Sequence, residues 1–114
     1  MKKIAIVADG WRRYINYAWI SGCRQYIKEK KLDAQLYVFY AFGNFSKDEK
    51  YNQGEYNIIT LPDFRQFDGI IVELTNVLKR KYARKIIDTI RTSKVPAVSL
   101  LERIPGLYFA GIDN

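Results

Sequence analysis

The alternation of apolar runs with helical stripes constrains the fold of this chain more than any other feature. Four continuous runs of aliphatic, β-branched and aromatic residues are typical of strands buried on both faces, as in a parallel sheet. These runs occupy residues 3–8, 35–40, 70–74 and 97–101, and a shorter fifth strand is predicted over 107–112. The chain therefore has the strand content of a single small sheet.

The segments between these runs carry apolar residues at helical spacing. The first has a stripe over three turns, which consists of Ile15, Ala18, Trp19, Gly22, Cys23, Tyr26 and Ile27. Gly22 costs this helix about 1 kcal/mol relative to alanine, and close packing on a strand would offset that cost. A second amphipathic helix is predicted over 78–93, whereas 41–53 is predicted as a loop and 55–61 as a short helix ended by Pro62.

Strands that alternate with helices predict parallel pairing and right-handed crossovers. We therefore expect an α/β fold of three layers, α/β/α, with a parallel sheet of the flavodoxin-like order 2-1-3-4-5. The 114 residues suffice for one domain, which spans 1–114. Because Gly111 to Asn114 follows the last strand without a covering helix, we interpret this domain as part of a longer protein.

The residue types present argue against several catalytic chemistries. The chain has no histidine and only one cysteine, Cys23, so neither a zinc site nor a histidine-activated nucleophile is expected. Cys23 is interpreted as a small buried residue of the helical stripe. No glycine-rich phosphate-binding motif occurs, and a phosphorylation receiver is disfavoured because Asp9 stands alone after the first strand. We expect no metal, no cofactor and no enzyme activity of this chain by itself.

The net charge of +7 is concentrated in one helix. Seven cationic side chains against Asp88 alone lie between Lys79 and Lys94, which accounts for six of the seven charges. No aromatic interleaving or recognition motif accompanies them, so a solvated outer helix face is favoured over contact with nucleic acid. No apolar stretch approaches the ~20 residues of a membrane span, and the run before Asp9 is too short for a signal peptide. The sequence predicts a soluble cytoplasmic chain without membrane contact.

The expected ligand site lies where the parallel strands end, because ligands of open α/β sheets bind at the carboxyl ends of their strands. Rings, carboxylates, an amide and a guanidinium meet there, which suits stacking on and hydrogen bonding to a small polar ligand. The candidate ligand-binding residues are Asp9, Trp11, Tyr14, Phe42, Asn76, Arg103 and Asp113. The alternative is that Trp11 and Tyr14 cap the first helix and Asp9 simply ends a strand.

Two apolar residues of the first helix lie outside its stripe. Tyr17 and Ile20 widen its apolar arc, and a second apolar face on an amphipathic helix often marks a protein contact. We therefore expect a homodimer interface at these two residues. The alternative is that the helix is buried more deeply than the stripe alone suggests.

Three segments together resemble a known family. Lys3-Ile-Ala-Ile-Val opens the first strand, and residues 54–72 read Gly-Glu-Tyr-Asn-Ile-Ile-Thr-Leu-Pro-Asp-Phe-Arg-Gln-Phe-Asp-Gly-Ile-Ile-Val. The closing segment begins with Val95-Pro-Ala-Val-Ser, followed by Ile104-Pro-Gly and Gly111-Ile-Asp-Asn. They resemble the N-terminal lobe of LacI/GalR-type sensor domains, which have a two-lobed periplasmic-binding-protein-like fold. The stretch from Gly54 to Asp63 is most similar to the variants that precede GGDEF diguanylate cyclase domains in cytoplasmic signalling proteins.

This resemblance implies a ligand cleft between two lobes, dimerisation through the N-terminal lobe, and closure of the hinge on binding. One lobe alone would bind its ligand weakly. The resemblance implies a regulatory, small-molecule-sensing lobe that controls a downstream diguanylate cyclase. The effector-binding domain of a LacI-type transcription regulator is the alternative, and it would have a helix-turn-helix ahead of the first strand. An interaction module without a ligand is a third possibility.

Overall fold

The chain forms one five-stranded sheet with helices on both of its faces. The structure, a computed structural model, describes residues 1–9, 13–41, 48–59, 62–75, 77 and 80–111. Its elements are β1 (Lys2–Asp9), α1 (Arg13–Glu29), β2 (Ala34–Ala41), α2 (Glu49–Ile59), a 3₁₀ turn (Phe64–Gln66), β3 (Gly69–Glu73), α3 (Arg80–Ser93), β4 (Ala97–Leu100) and β5 (Tyr108–Ala110).

All neighbouring strands pair in parallel, in the order β2-β1-β3-β4-β5. The α/β class and the flavodoxin-like strand order predicted from the sequence are thereby confirmed. Parallel pairing places every carboxyl strand end at the same edge of the sheet, which we name the carboxyl rim. The last strand residues at this rim are Asp9, Ala41, Glu73, Leu100 and Ala110.

The core lies between the sheet and the pair of helices α2 and α3. On this face Val7, Val72 and Ala97 point toward the helices, and α3 buries the aliphatic stripe that its 3.6-residue period predicts. The buried residues of α3 are Tyr82, Ala83, Ile86, Ile87 and Ile90. Its cationic side chains lie on the exposed side, as expected for a solvated outer face.

Helix α1 lies on the opposite face of the sheet and covers only part of it. Ile20 is 4% exposed and lies beside Val38 and Tyr40 of β2, so α1 leans toward that edge. An α-helix is about 10 Å wide, whereas five strands spaced about 4.8 Å apart span roughly twice that width. No other described helix covers the remaining strands on this face.

The buried side of α1 differs from the side that the sequence predicted. Asn16 and Ile20 are buried, whereas Ile15 and Tyr26 of the predicted stripe remain 48% and 56% exposed. Gly22 does not pack closely on a strand either, because an added Cβ would meet no described atom within 4 Å. All seven residues of the predicted stripe instead line open grooves between α1 and the sheet.

Helix α2 begins six residues before the predicted start. The Asp48 side chain accepts hydrogen bonds from the backbone N–H groups of Lys50 (3.0 Å) and Tyr51 (3.4 Å), which caps the helix start. The prediction of a loop up to residue 53 was therefore wrong over 49–53, where polar residues form a capped helix turn. None of the described helices has the length and apolar content needed to cross a bilayer.

Candidate functional site

Two of the ligand residues predicted from the sequence, Tyr14 and Arg103, have described side chains, and both lie at the carboxyl rim. Tyr14 lies in the first turn of α1 and is 92% exposed, so it does not cap the helix by packing on it. Arg103 follows β4 at the same edge of the sheet. Asp9 is the last residue of β1, and its side chain is not among those described. Trp11, Phe42, Asn76 and Asp113 lie outside the described residues.

Arg103 is positioned by an aromatic ring. The Cζ atom of its guanidinium lies 4.1 Å from the centroid of the Phe109 ring on the neighbouring strand β5. A guanidinium over a ring face is held by the ring quadrupole while it keeps its hydrogen-bond donors. The predicted ligand residue is thus held in place at the end of the sheet.

The backbone just before Arg103 has an uncommon conformation. Leu101 has a φ of 69°, in the left-handed region that non-glycine residues rarely adopt. Its N–H donates to the carbonyl oxygen of Ala110 (3.0 Å), which fixes the bend after β4. Strained backbone of this kind is found disproportionately at functional sites.

An ion pair joins two elements at the rim. The Arg80 Nη2 atom donates to Glu102 Oε1 at 2.7 Å and thereby connects the start of α3 to the segment after β4. Sequence reasoning placed Arg103 at this edge but did not foresee the ion pair of the preceding residue, Glu102. The available signal was Arg80 itself, because a cation in the first helical turn is disfavoured by the helix dipole unless a carboxylate is near.

Glu73 is a buried carboxylate that sequence reasoning did not select as a site residue. Its side chain is 3% exposed, and its Oε1 atom accepts hydrogen bonds from both the backbone N–H (2.7 Å) and the hydroxyl of Thr75. Paired with Ala8 in the sheet, it faces the side that α1 covers. The signal in the sequence was an ionisable residue at the end of the apolar run Ile70-Ile71-Val72.

Asn16 is the second buried polar residue on this side. It is fully buried, and its Oδ1 atom accepts a hydrogen bond from the indole N–H of Trp19 at 3.1 Å. This bond fixes the Trp19 ring at the border between α1 and the uncovered strands. The helical stripe predicted from the sequence included Trp19 but not its polar partner.

Two grooves meet at Trp19, between α1 and the uncovered part of the sheet. The larger, of about 570 Å³, runs toward the amino ends of the strands between α1 and strands β3 and β4. The smaller, of about 410 Å³, lies toward the carboxyl rim, and we name it the Glu73 groove. It is lined by Ile15, Ala18, Trp19, Glu73, Leu100, Leu101, Ala110 and Gly111.

Cys23 lines the larger groove and is partly buried there, rather than fully buried as predicted. This burial raises the pKa of the Cys23 thiol, because the thiolate would lose hydration. The thiol is therefore protonated at neutral pH and a poor nucleophile. Its position gives no support for catalysis.

A further polar cluster joins α2 to α3. The Glu49 carboxylate accepts a hydrogen bond from the Tyr82 hydroxyl and lies 2.9 Å from Lys81 Nζ. The hydrogen bond to Glu49 raises the pKa of Tyr82. These groups satisfy one another between two helices, which is typical of a structural contact.

The described residues offer binding groups at the rim. No group of three or more Cys, Asp or Glu side chains among them could hold a metal ion. The rim presents an exposed ring, a positioned guanidinium and an ion pair, which can stack on and hydrogen-bond a polar molecule. No protein-family model matches the chain, and neither does any curated protein nor any solved structure.

Proposed function

We propose that the chain is a small-molecule-sensing lobe of a cytoplasmic signalling protein. Its ligand would bind at the carboxyl rim and be enclosed by a second lobe of the same protein. The output would be a downstream diguanylate cyclase domain, so this lobe would have no enzyme activity of its own. The proposal draws on the all-parallel sheet and on the resemblance of residues 54–72 and 95–99 to such sensors.

The observation that carries the proposal is the concentration of unusual residues at the carboxyl rim. An exposed Tyr14 ring, a left-handed Leu101 and a ring-held Arg103 occur at the same edge of the sheet. Ligands of open parallel sheets bind at this edge. A rigid scaffold with polar and aromatic groups at its rim suits recognition of a small polar molecule such as a sugar.

A ligand would regulate the protein only if it bound one arrangement of the two lobes more tightly than another. The rim of a single lobe supplies half of such a cleft. We therefore expect the isolated chain to bind weakly and the two-lobed protein to bind appreciably more tightly.

A titration of the ¹⁵N-labelled chain with D-galactose or D-ribose tests the location of the site. We expect shifts of the amide signals of residues 101–103 at millimolar sugar, and their loss in Arg103→Ala. The variant Lys85→Ala, which changes an exposed side chain of α3, should keep them. Sugar-dependent shifts confined to other parts of the chain would contradict a rim site.

The identity of the output domain is tested separately by the reading frame that contains this segment. We expect it to encode a second α/β lobe and then a Gly-Gly-Asp-Glu-Phe motif. A helix-turn-helix ahead of β1 would instead support a transcription regulator. A stop codon directly after Asn114 would contradict both.

We also propose that the lobe forms homodimers through α1. Of the two residues expected at the interface, Tyr17 is 65% exposed, whereas Ile20 packs inside the chain beside Val38 and Tyr40. Tyr17 is therefore the residue that can contact a second copy, and Ile20 supports it from beneath.

A further inference from the structure

The Glu73 groove combines a buried carboxylate with apolar walls. Among the described residues that line it, Glu73 is the only charged one, and aliphatic and aromatic side chains make up most of the rest. Its volume of about 410 Å³ lies within the range of small-molecule sites. We propose that this groove binds a small organic cation, namely a protonated amine carried on an apolar body.

The hydrogen bonding of Glu73 leaves one oxygen available. Thr75 donates both of its hydrogen bonds to Oε1, and no described residue donates to Oε2 or forms an ion pair with this carboxylate. A buried carboxylate oxygen without a donor is unfavourable, because burial removes the water that would otherwise solvate it. An ammonium group supplies both the missing donor and the opposite charge.

The side chains that line the groove determine the chemistry of the part of the ligand that does not contact Glu73. Ile15, Ala18 and Trp19 form the α1 side, while Leu100, Leu101 and Ala110 form the side of β4 and β5. Because Trp19 already donates its indole N–H to Asn16, it contributes ring surface to the groove rather than a competing donor. An alkyl or aryl group would bury apolar area against these side chains and against the ring.

The same features exclude the other ligand classes of similar size. An anion would be repelled by Glu73, and a neutral alcohol would donate a hydrogen bond without neutralising the charge. Because the chain carries a net charge of +7, long-range attraction does not favour a cation. Affinity would therefore come from the contact with Glu73, which is screened by salt much less than surface pairs are.

The site is tested with 2-phenylethylamine as the probe, titrated into the chain while the indole N–H signal of Trp19 is followed by NMR. The signal is assigned with Trp19→Phe. We expect saturable binding that changes less than about threefold between 50 and 500 mM NaCl. We expect 2-phenylethanol and 3-phenylpropionate, which have the same ring on a neutral or anionic group, to bind at least about tenfold more weakly.

A pair of carboxylate variants tests the role of charge. Glu73→Gln keeps an acceptor for Thr75 but removes the negative charge, and we expect it to weaken amine binding about tenfold to a hundredfold. Asp88→Asn removes an exposed carboxylate of α3, on the opposite face of the sheet, and should leave the affinity unchanged. Equal binding by both variants, or equal binding of the amine and the alcohol, would overturn the proposal.

A second pair tests the groove without touching the charge, in case Glu73→Gln does not fold. Ala18 is exposed on α1, so Ala18→Phe fills the groove at little cost to the fold, and we expect it to abolish probe binding. Gln25→Phe adds the same ring to the same helix outside both grooves and should bind like the unaltered chain. Absence of saturable binding in the unaltered chain would also overturn the proposal. The proposed function of the rim is tested separately, by the sugar titration.

Discussion

At the scale of single residues, the polar groups buried beside α1 carry more information than the apolar ones. Asn16, Glu73 and Ser99 are the buried polar residues among those described. The first two have local hydrogen-bond donors that lie two or three residues away in sequence. A local donor to one oxygen of each side chain lets the α1 face keep these polar groups inside although only one described helix covers it.

The bond between Asn16 and Trp19 predicts a clear effect on stability. Asn16→Ala removes a fully buried side chain and leaves the part-buried indole N–H of Trp19 without its acceptor, so we expect the free energy of unfolding to fall by about 1–3 kcal/mol. Urea denaturation followed by circular dichroism measures this change. Asn57→Ala, at an exposed position whose side chain contacts Lys85, should change it by no more than about 0.5 kcal/mol. Similar losses in the two variants would contradict a specific role of the buried bond.

The environment of Cys23 predicts slow and pH-shifted alkylation. Because burial raises the pKa of this thiol, a smaller fraction is thiolate at pH 8 than in a free cysteine. We expect iodoacetamide to modify Cys23 more slowly than it modifies glutathione. The midpoint of the rate against pH should lie above the ordinary thiol value of about 8.5. In urea, where the chain is unfolded, the two rates should converge.

At the scale of elements, α1 ends in a hydrogen-bonded turn that has a lysine at the position where glycine is preferred. The N–H of Leu32 donates to the carbonyl of Ile27 (3.0 Å) and that of Lys31 to Lys28 (3.2 Å), which together form a Schellman motif. Lys31 has a φ of 52°, where glycine is the preferred residue. Backbone hydrogen bonds therefore end the helix here, although the Lys31 side chain disfavours a positive φ.

Replacement at this helix end should stabilise the chain. We expect Lys31→Gly to raise the free energy of unfolding by about 1 kcal/mol, because glycine adopts a positive φ without strain. Lys28→Gly, three residues earlier and inside the helix, should lower it by a similar amount. Thermal unfolding of the two variants measures both signs. A loss of stability in both would show that the left-handed conformation of Lys31 causes no strain.

The open position of Gly22 gives a second stabilising change. A Cβ at this position would meet no described atom within 4 Å, so Gly22→Ala should raise the free energy of unfolding by about 1 kcal/mol through helix propensity. Gly106→Ala is the opposite case, because Gly106 has a φ of 88°. We expect that variant to be less stable than the unaltered chain, and differential scanning calorimetry compares the two directly.

The elements also show what the sequence could and could not predict. The strands followed from apolar runs, because a parallel strand buried on both faces needs such a run at each position along it. The start of α2 was missed because its first turn is polar, and only the Asp48 cap marks it. The buried side of α1 was misjudged because its apolar residues serve two surfaces, the sheet and the grooves, and periodicity does not separate them.

The candidate site was predictable only in outline. The rule that ligands bind at the carboxyl strand ends placed Arg103 correctly, because it depends on topology alone. The ring that holds Arg103 and the ion pair of Arg80 with Glu102 depend on side-chain geometry between residues of different elements. No local pattern in the sequence encodes those pairings.

At the scale of the whole molecule, the exposed surface is larger than usual. The chain exposes 7512 Å², whereas a compact monomer of 13.4 kDa is expected to expose roughly 6,500 Å². The difference is similar to the ~800 Å² that each partner buries in a standard protein interface. The excess exposed area is therefore large enough to form the dimer interface proposed above.

Sedimentation equilibrium tests this association. We expect the weight-average mass to rise from 13.4 kDa toward twice that value with increasing concentration. Tyr17→Glu places a charge on the exposed part of α1 and should restore the monomer mass. Tyr51→Glu makes the same change at another exposed tyrosine, on α2, and should have no effect. A constant monomer mass at every concentration would contradict the dimer.

The incomplete cover of the sheet beside α1 has a consequence for the lifetime of the protein. A compound that occupies a groove of the native state at a hundred times its dissociation constant raises the unfolding free energy by about 2.7 kcal/mol. That gain reduces the unfolded population roughly a hundredfold, and proteolysis that acts on unfolded chains slows in proportion. The abundance of such a protein would then follow the supply of the compound, a form of regulation that needs neither a second lobe nor an output domain.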